Sequence, residues 1–367
     1  MEIIGLIAEY NPFHNGHLYQ IEKIKKLYPD SIIVLVLNGY FLERGEMSVL
    51  SKEDKTKLAL EYGINIVIEL PVIFGCQAAD VFAEKSIKLL NELKITKIIF
   101  GSESNSINIL EEIARKQLES DLDVKRYLNE GFNYPTALKK ALNIEFDYNN
   151  PNDLLGICYI KSIIKNKYQI KYESIKRTSD YHDKESNDKI ISATNVRNKL
   201  KNNEDISKFV PFDITKYNFN LNDNIFKYLK FKILTNNNLD TILSVDEGLD
   251  YKLYKEIHKV NSLEDLVKKV KSKRYTYNRI NRMLTHILLN ILKEDAKLPL
   301  DYVKVLGFDK KGKQYLNAIK KEITLPIYSN KIESKVKDYE LRASLVYDLL
   351  NNTNTYEFEI KNKPLIK

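Results

Sequence analysis

The sequence predicts a doubly wound α/β domain with a largely parallel sheet, followed by a mainly helical and basic second half. Two observations carry this prediction. In the first third of the chain, short and continuously apolar runs alternate with amphipathic stretches of helical period, a pattern typical of parallel strands that are buried on both faces by helices. Beyond about residue 224 helical periodicity dominates, and basic residues accumulate.

Strands and helices are predicted to alternate from the first residues onward. The clearest helical period belongs to residues 17–27, where Leu18, Ile21 and Ile24 recur on one face. The predicted strands are Glu2–Ala8, Ser31–Leu37, Asn65–Leu70, Lys97–Phe100 and Tyr168–Ser174. The predicted helices are His17–Leu27, Lys52–Tyr62, Asp80–Leu93, Glu111–Asp147, Asn195–Lys201, Asn224–Leu234, Leu249–Val260, Ser262–Lys271 and Asn278–Leu292. In such a sheet, ligands bind in the loops that follow the carboxyl ends of the strands.

The length and the charge distribution suggest two domains with different partners. A chain of 367 residues is long enough for two cores, and around residues 202–224 the composition shifts to Asn, Asp, Lys and Pro. We therefore predict a catalytic domain over residues 1–205 and a mainly helical domain over residues 206–367. Residues 1–200 carry 27 Lys and Arg against 28 Asp and Glu, whereas residues 201–367 carry 31 against 22. The basic half is expected to bind a polyanion and the neutral half a small molecule.

Cysteine usage and hydropathy exclude other classes of protein. Cys76 and Cys158 are too few for a disulfide scaffold and have no metal-ligand spacing, and their apolar neighbours predict buried thiols. No signal-peptide pattern opens the chain, and its strongly apolar runs are far shorter than the roughly 20 residues that cross a membrane. We expect a cytoplasmic protein without a membrane segment, without metal ligands of its own and without an obligate protein partner.

The most informative segment is AEYNPFHNGH, residues 8–17, which joins the first predicted strand to a helix. A helix N-terminus attracts anions because its first N–H groups are unpaired and its dipole is positive there. Gly16 lets a nucleotide approach the backbone closely, and His14 and His17 can both donate hydrogen bonds to phosphate oxygens. Metal ligation or an incidental histidine pair is the alternative, but the position between a buried strand and a helix favours nucleotide binding.

The sequence His14-Asn15-Gly16-His17 resembles the HxGH signature of the nucleotidylyltransferase superfamily, whose members transfer a nucleoside monophosphate and release pyrophosphate. Its usual companion is a Ser/Thr-rich turn that ends in Arg at a helix start, and ISATNVR supplies Ser192, Thr194 and Arg197. Hydroxyl groups, free N–H groups and a guanidinium suit β- and γ-phosphates. A plain N-cap is the alternative role for Ser192.

Further motifs narrow the resemblance to the bacterial tRNA(Met) cytidine acetate ligase family and extend it over nearly the whole chain. They are GLIAEYNPFHNGH (5–17), NGYFLERGE (38–46), ELP (69–71), FGSE (100–103), PNDLLG (151–156), KRYTYNRI (273–280) and VLGF (305–308). The resemblance implies a nucleotidylyltransferase-like, Rossmann-like domain that activates acetate with ATP to acetyl-adenylate. The acetyl group is then transferred to N4 of the wobble cytidine of elongator tRNA(Met), forming N4-acetylcytidine.

These resemblances imply an ATP site drawn from the first two hundred residues. Its expected members are Ile7, Ala8, Glu9, Tyr10, Asn11, His14, Gly16, His17, Gln20, Gly101, Asn152, Arg177, Ser192, Thr194 and Arg197. His14, His17 and Arg197 are expected to be catalytic, with Mg²⁺ accompanying ATP. Acetate is already ionised near neutrality, so its attack on the α-phosphate needs no general base. For the second step, Glu9, either histidine or the departing AMP phosphate remain candidates for the base.

The basic second half contains a segment suited to RNA. Cations cluster between residues 268 and 282, interleaved with Tyr275 and Tyr277, whose rings are candidates for stacking on an unpaired base. The predicted tRNA-binding residues are Lys273, Arg274, Arg279 and Arg282. A solvated helical face is the alternative. His286, on an apolar helix, is predicted to be a core residue.

Two other functions account for part of the sequence. A small-molecule adenylyltransferase or an adenylate-forming synthetase of cofactor biosynthesis would explain the first half but not the basic second half. An RNA-binding protein with a degenerate nucleotide pocket has no reason to retain all the residue types of both phosphate-binding motifs. The tRNA acetate ligase remains the leading hypothesis, with acetate, ATP and elongator tRNA(Met) as its partners.

Overall fold

The computed structural model describes residues 1–119, 121–132, 134–142, 146–147, 150–177, 189–221, 224–272, 275–361 and 363–367. Its strands form one seven-stranded sheet. They are β1 (Ile3–Ala8), β2 (Ile32–Asn38), β3 (Ile66–Leu70), β4 (Lys97–Ser102), β5 (Lys171–Lys176), β6 (Val305–Phe308) and β7 (Leu365–Ile366).

Helices cover the sheet and form most of the second half of the chain. In the first half they are α1 (Asn15–Leu27), α2 (Lys52–Glu61), α3 (Val72–Gly75), α4 (Ala79–Glu92), α5 (Ile107–Glu119), α6 (Asp121–Asn129), α7 (Tyr134–Leu142), α8 (Pro151–Lys165) and α9 (Ala193–Lys201). In the second half they are α10 (Ile225–Thr235), α11 (Leu249–Ile257), α12 (Leu263–Val270), α13 (Tyr277–Leu289), α14 (Lys310–Ile319), α15 (Lys335–Asn351) and α16 (Thr355–Lys361).

The strand order, β5-β4-β1-β2-β3-β6-β7, creates a crevice at one edge of the sheet. β1 lies between β4 and β2 and is parallel to both, so the chain moves outward from β1 in opposite directions. At this switch point the loops beyond the carboxyl ends of β1 and β4 diverge and leave room for a ligand. The predicted doubly wound α/β class is confirmed, because β1 to β5 are all parallel to their neighbours in this order.

Alternate side chains of the central strands fill two separate cores, as expected for a sheet covered on both faces. On β2, Ile33 and Leu35 face one core, and Val34 and Val36 face the other. The first core is completed by α1, α2 and α9, the second by α4, α8 and α15. The apolar runs of the strands therefore have no polar alternation because water reaches neither face.

The second half of the chain contributes to two places. Helices α10 to α13 enclose a core of their own, centred on Leu253, Leu266 and Ile287, whereas β6 pairs antiparallel with β3 and extends the main sheet. β7 adds to β6 in parallel. The sequence pattern missed these two strands because they span only four and two residues. The division of the chain at residue 205 stays a prediction.

Several predicted elements differ in extent from the observed ones. Residues 111–147 are not one helix, since α5, α6 and α7 are separate and Gly131 adopts a positive φ of 91° just after α6. β5 begins and ends later than predicted because residues 171–176 pair one by one with β4. Both cysteines are buried free thiols, as predicted. Within the described ranges, no helix is both long and apolar enough to cross a membrane.

Candidate active site

The two histidines of the HNGH segment form the start of α1. His14 is the N-cap, and its Nδ1 accepts a hydrogen bond from the backbone N–H of Gly16 at 3.0 Å. In return, Nδ1 of His17 accepts the backbone N–H of His14 at 3.2 Å. The rings stack with centroids 3.9 Å apart. A Cβ at residue 16 would lie 2.8 Å from Cε1 of His14, so only glycine fits beneath this ring pair.

The environment of the histidines keeps both rings neutral near pH 7. Burial, together with the nearby Arg177 and Arg197, lowers the pKa of His14 to about 3. Burial, His14 and Arg177 lower the pKa of His17 well below its ordinary value. Because each Nδ1 accepts a backbone N–H, each neutral ring carries its proton on Nε2. The pair therefore offers two N–H donors, while positive charge at the site comes from the arginines.

Arg197 contacts the loop before α1, although it lies 186 residues after Asn11 in the sequence. It lies in α9, and its guanidinium donates to the backbone oxygen of Asn11 at 2.9 Å and to Oγ1 of Thr194 at 3.3 Å. It also forms an ion pair with Glu46 at 2.8 Å. The structure thus brings together Asn11, Thr194 and Arg197, three of the predicted ATP-site residues.

Ser192 caps α9, the alternative role considered for it. Its hydroxyl oxygen accepts the backbone N–H of Asn195 at 3.3 Å. The helix N-terminus behind Ser192 and Thr194 carries unpaired N–H groups of the kind that bind phosphate. A second contact holds this region against α1, because the side-chain amide of Asn15 donates to the backbone oxygen of Lys189 at 2.8 Å. A phosphate contact from Ser192 stays a prediction.

A second group of predicted residues meets at Glu103, after β4. Its carboxylate accepts the side-chain amide and the backbone N–H of Asn152, and it lies 3.9 Å from Nε of Arg177. Gly101 lies directly beneath the side chain of Arg177, since a Cβ at this position would lie 3.4 Å from Cγ of the arginine, within ordinary van der Waals contact. Glu103 was not among the predicted site residues, although the FGSE motif contains it.

The remaining predicted residues lie in β1, in the loop that follows it and in α1. Ile7 and Ala8 end β1, and Tyr10 is buried with a positive φ of 48°. Gln20, on α1, donates to the backbone oxygen of Ile99 at 3.4 Å and so links the helix to β4. Oε1 of Glu9 accepts Nδ2 of Asn38 at 3.0 Å and the backbone N–H of Glu43 at 2.7 Å.

Lys55 is a buried residue that sequence reasoning missed. Its ammonium donates to the backbone oxygens of Glu9, Asn38 and Gly39 at 3.1, 2.7 and 2.6 Å. These three bonds tie together the chain segments that leave β1 and β2. Burial lowers the pKa of Lys55, with the negative charge of Glu9 opposing that effect. In the sequence, Lys55 looks like one more polar position of an amphipathic helix, so no signal marked it.

The loop over residues 43–46 is held by α13. Arg282 donates to Oε1 of Glu43 at 2.9 Å, and Oγ1 of Thr285 donates to the backbone oxygen of Gly45 at 2.9 Å. Gly45 has a φ of 76°, and a Cβ there would lie 2.3 Å from the backbone nitrogen of Arg282. Burial raises the pKa of Glu43 to about 7, although Arg282 opposes this rise. The helix that carries predicted RNA contacts therefore touches a loop next to the predicted nucleotide site.

The predicted tRNA-binding residues occupy different surroundings. Arg279 lies 3.6 Å from Asp246 and 4.6 Å from the ring of Tyr275, and it keeps about two fifths of its side chain exposed. Arg282 is engaged with Glu43. Lys273 and Arg274 lie outside the described residues. The idea that Tyr275 stacks on a base is wrong in this structure, because the ring is buried in the core of α10 to α13; Tyr277 is 51% exposed.

A buried ionic cluster joins strand β3 to the helices α2, α15 and α16. The ammonium of Lys52 contacts Glu69, Glu340 at 2.8 Å and Glu359 at 2.6 Å, and Lys304 contacts Glu69 at 3.3 Å. These carboxylates are the one grouping with metal-ligand spacing in the described part of the chain. Since Lys52 contacts all three, the cluster is an internal salt bridge and offers no open place for a cation. No sequence pattern predicted this cluster.

His286 has the predicted core position. It is buried, with Nε2 at 2.8 Å from the backbone oxygen of Cys76 and Nδ1 at 3.1 Å from that of Leu243. It thereby connects α13 to the segment after α3. The contact is structural and lies apart from the two stacked histidines.

Comparison with known proteins places the chain among nucleotidyl transferases. Residues 1–363 match the model of the family described as HIGH Nucleotidyl Transferase. The tRNA(Met) cytidine acetate ligase of Geobacillus sp. (strain WCH70) is 36% identical, and the match covers 100% of both chains. That of Bacillus subtilis (strain 168) is also 36% identical, with 95% of this chain and 92% of the relative covered.

Solved structures agree with this result. The crystal structure of Thermotoga maritima TmcAL bound with alpha-thio ATP has a TM-score of 0.86 to this chain and 27% sequence identity, with 100% of this chain and 99% of that chain covered. The apo form of the same protein gives a TM-score of 0.88.

Proposed function

The chain belongs to the HIGH Nucleotidyl Transferase family and, within it, to the tRNA(Met) cytidine acetate ligases, and on this premise we propose the reaction that it catalyses. It activates acetate with ATP to acetyl-adenylate and transfers the acetyl group to N4 of the wobble cytidine of elongator tRNA(Met). The observation that carries the proposal is the convergence of His14, His17, Arg177 and Arg197 at the switch point of the sheet. The proposed reaction takes place in the cytoplasm.

In the first step, a carboxylate oxygen of acetate forms a bond to the α-phosphorus of ATP, and the bond to the β-phosphate oxygen breaks as pyrophosphate leaves. The protein has to stabilise negative charge and align the reacting groups. The Nε2–H groups of His14 and His17 can each donate a hydrogen bond to a phosphate oxygen, and neither ring carries a charge. Arg177 and Arg197 supply the positive charge, and the N-terminus of α1 adds its dipole.

In the second step, the N4 amine of cytidine forms a bond to the acetyl carbonyl carbon, the bond to the phosphate oxygen breaks, AMP leaves and one N4 proton is released. Glu9 is less suited to accept this proton than its position in the sequence indicated, since Oε1 already holds Asn38 and the loop at Glu43. The two histidines are not better suited, because Nδ1 of each ring accepts a backbone N–H and Nε2 carries the proton. The departing AMP phosphate is the candidate that none of these contacts opposes.

Mg²⁺ is proposed to accompany ATP and to neutralise part of the charge on its β- and γ-phosphates. Mg²⁺ commonly keeps several waters and is held through substrate phosphates with one or two carboxylates. In the described region of the crevice, Glu9, Glu46 and Glu103 are each engaged by neighbouring side chains or by backbone N–H groups. The donor set therefore fits an ion carried mainly by the nucleotide, rather than one resident on the protein.

An assay with labelled acetate tests this function. The protein is incubated with ATP, Mg²⁺ and labelled acetate, with and without elongator tRNA(Met), and the RNA is digested to nucleosides. Labelled N4-acetylcytidine is expected only when ATP and this tRNA are both present. Labelled adenylate without transfer would move the acceptor to another molecule. Absence of acetate activation would favour the small-molecule adenylyltransferase.

A further inference from the structure

A cleft of about 640 Å³ lies between the catalytic half and the helices α10 to α13. Its walls are the loop Gly45–Val49, the exposed face of α9, the start of α10, the start of α12 and one face of α13. Its volume falls within the range of about 300–1,000 Å³ that is usual for ligand sites. None of the motifs that marked the ATP site requires such a cleft.

Two residues of the predicted nucleotide site form part of the cleft wall. Arg197 and Thr194 line it, and Arg197 is the residue that donates to Asn11, three residues before His14. A group bound in the cleft therefore meets the nucleotide site from the side of the arginine. Two exposed lysines, Lys201 on α9 and Lys227 on α10, also line the cleft where it meets solvent.

The lining matches the chemistry of an unpaired pyrimidine nucleotide. The side-chain amides of Asn198, Asn261 and Asn281 line the cleft and make no hydrogen bond to any residue that the structure describes. An amide offers both a donor and an acceptor, which the Watson–Crick edge of cytosine complements. Phe226 presents a half-buried aromatic ring at the wall, and such rings stack on splayed bases. Lysines at the opening suit the flanking phosphates.

The floor of the cleft is apolar and belongs to α10 and α13. Leu229 and Leu284 are buried there, while Asn281 stands one turn before Leu284 on the same helix. Buried apolar side chains, amides and exposed cations in one lining favour a flat base with a charged backbone over a peptide segment. It also favours a single nucleotide over a helix, which would need a longer groove.

We propose that this cleft binds the acceptor cytidine of the RNA, with Asn281 and Asn198 at its Watson–Crick edge, Phe226 against its face, and N4 directed toward Arg197. The proposal rests on the proposed function, because it assumes that the acceptor is an RNA base. It assigns the selection of the base to Asn198 and Phe226, which lie outside both the HNGH segment and the basic segment, and to Asn281, an uncharged residue within the basic segment. It also places α13 between the RNA surface and the loop at Gly45.

Two variants test the cleft, Asn281→Leu and Phe226→Leu, with Asn91→Leu on α4 as the matched control outside the cleft. Acetate-dependent exchange between ATP and pyrophosphate reports the first step, and formation of N4-acetylcytidine reports the second. Both cleft variants are expected to keep exchange within twofold and tRNA affinity within threefold, yet to lower transfer at least tenfold. The control is expected to match the unmodified protein in all three.

Two results would overturn the proposal. Transfer within twofold of the unmodified protein in both cleft variants would place the cytidine elsewhere, and equal loss of exchange and transfer would assign these residues to the first step or to folding. Photocrosslinking of tRNA(Met) with 4-thiouridine at the wobble position gives a second measurement. Crosslinks to α10 or α13 support the cleft and crosslinks elsewhere contradict it, even if the unmodified protein forms no N4-acetylcytidine and the proposed function fails.

Discussion

The guanidinium of Arg197 donates a hydrogen bond to the backbone oxygen of Asn11 at 2.9 Å, across 186 residues of sequence. This bond joins helix α9 to the loop that precedes helix α1. It places the positive charge of Arg197 beside the buried ring of His14, whose pKa responds to it. The two motifs predicted to bind phosphate thus lie in contact with each other in the folded chain.

Substitution of this arginine by lysine is expected to abolish most of the first step. Lysine keeps the charge but cannot reach Asn11, Thr194 and Glu46 at the same time, since its ammonium is a single point of donation. We expect Arg197→Lys to lower acetate-dependent exchange between ATP and pyrophosphate by roughly 100-fold or more. Affinity for tRNA(Met) should stay within threefold. Lys199→Ala, on the same helix and paired with Glu204, is the control and should change neither quantity.

The neutral state of His14 makes the stability of the protein depend on pH. Below about pH 6.5 the unfolded chain binds a proton at this histidine, whereas the folded protein does so only near pH 3. As the pH is lowered through this interval, the free energy of unfolding therefore decreases by about 1.4 kcal/mol per pH unit for each such group. Between pH 7 and pH 5 the free energy of unfolding of the unmodified protein should decrease by about 2 kcal/mol more than that of His14→Asn. Asparagine retains an N-cap acceptor at this position.

Urea unfolding at a series of pH values measures this difference. Between pH 7 and pH 8 the two proteins should show the same pH dependence, because the histidine is neutral in both the folded and the unfolded chain. Parallel curves from pH 7 down to pH 5 would mean that His14 is protonated in the folded protein.

The buried cluster at Lys52 predicts a large loss of stability. Burial alone lowers the pKa of Lys52, but Glu340, Glu359 and Glu69 outweigh burial and raise it well above its ordinary value. Lys52→Met leaves these carboxylates buried without their shared cation, which should cost about 3–5 kcal/mol. Lys57→Met, on the same helix but in an exposed pair with Glu53, should cost less than about 1 kcal/mol. Chemical denaturation of both variants checks the contrast; similar losses would contradict it.

The basic segment predicts a salt-dependent contribution to tRNA affinity. The triple variant Lys273→Gln, Arg274→Gln and Arg279→Gln should weaken tRNA binding and reduce the slope of log affinity against log salt by about one for each lost phosphate contact. A triple variant of equal charge change at Lys320, Lys321 and Lys331 is the control. Filter binding at several salt concentrations measures both. An unchanged slope in the first variant would remove the segment from the interface.

Arg282 is expected to behave differently from its neighbours because Glu43 already binds it. Arg282→Gln leaves a largely buried carboxyl group without its partner, which should reduce the free energy of unfolding by about 1–3 kcal/mol. In a Glu43→Gln background the same substitution should cost markedly less. A double-mutant cycle from urea denaturation provides this comparison, and additive losses would show that the pair is not coupled.

The fold class could be predicted from the amino-acid sequence and is confirmed, whereas the phosphate-binding role of the HNGH and ISATNVR segments stays a prediction. Continuous apolar strands and amphipathic helices follow from local periodicity, and periodicity needs only neighbouring residues. The HNGH segment could be interpreted for a similar reason, since a strand, a glycine and a helix start lie within ten residues. The buried positions of both cysteines and of His286 followed from their apolar neighbours.

Contacts between residues that are distant in sequence became known from the three-dimensional fold. From the sequence, Lys52 and Lys55 look like surface residues of α2. In the structure, three backbone oxygens surround the ammonium of Lys55, and three carboxylates surround that of Lys52. Tyr275 looked available to RNA, but the packing of α10 to α13 buries it. Strand β6 is too short to be recognised until its partner β3 is known. Burial and ion pairing depend on contacts between remote segments, and no pattern within one segment encodes its partner.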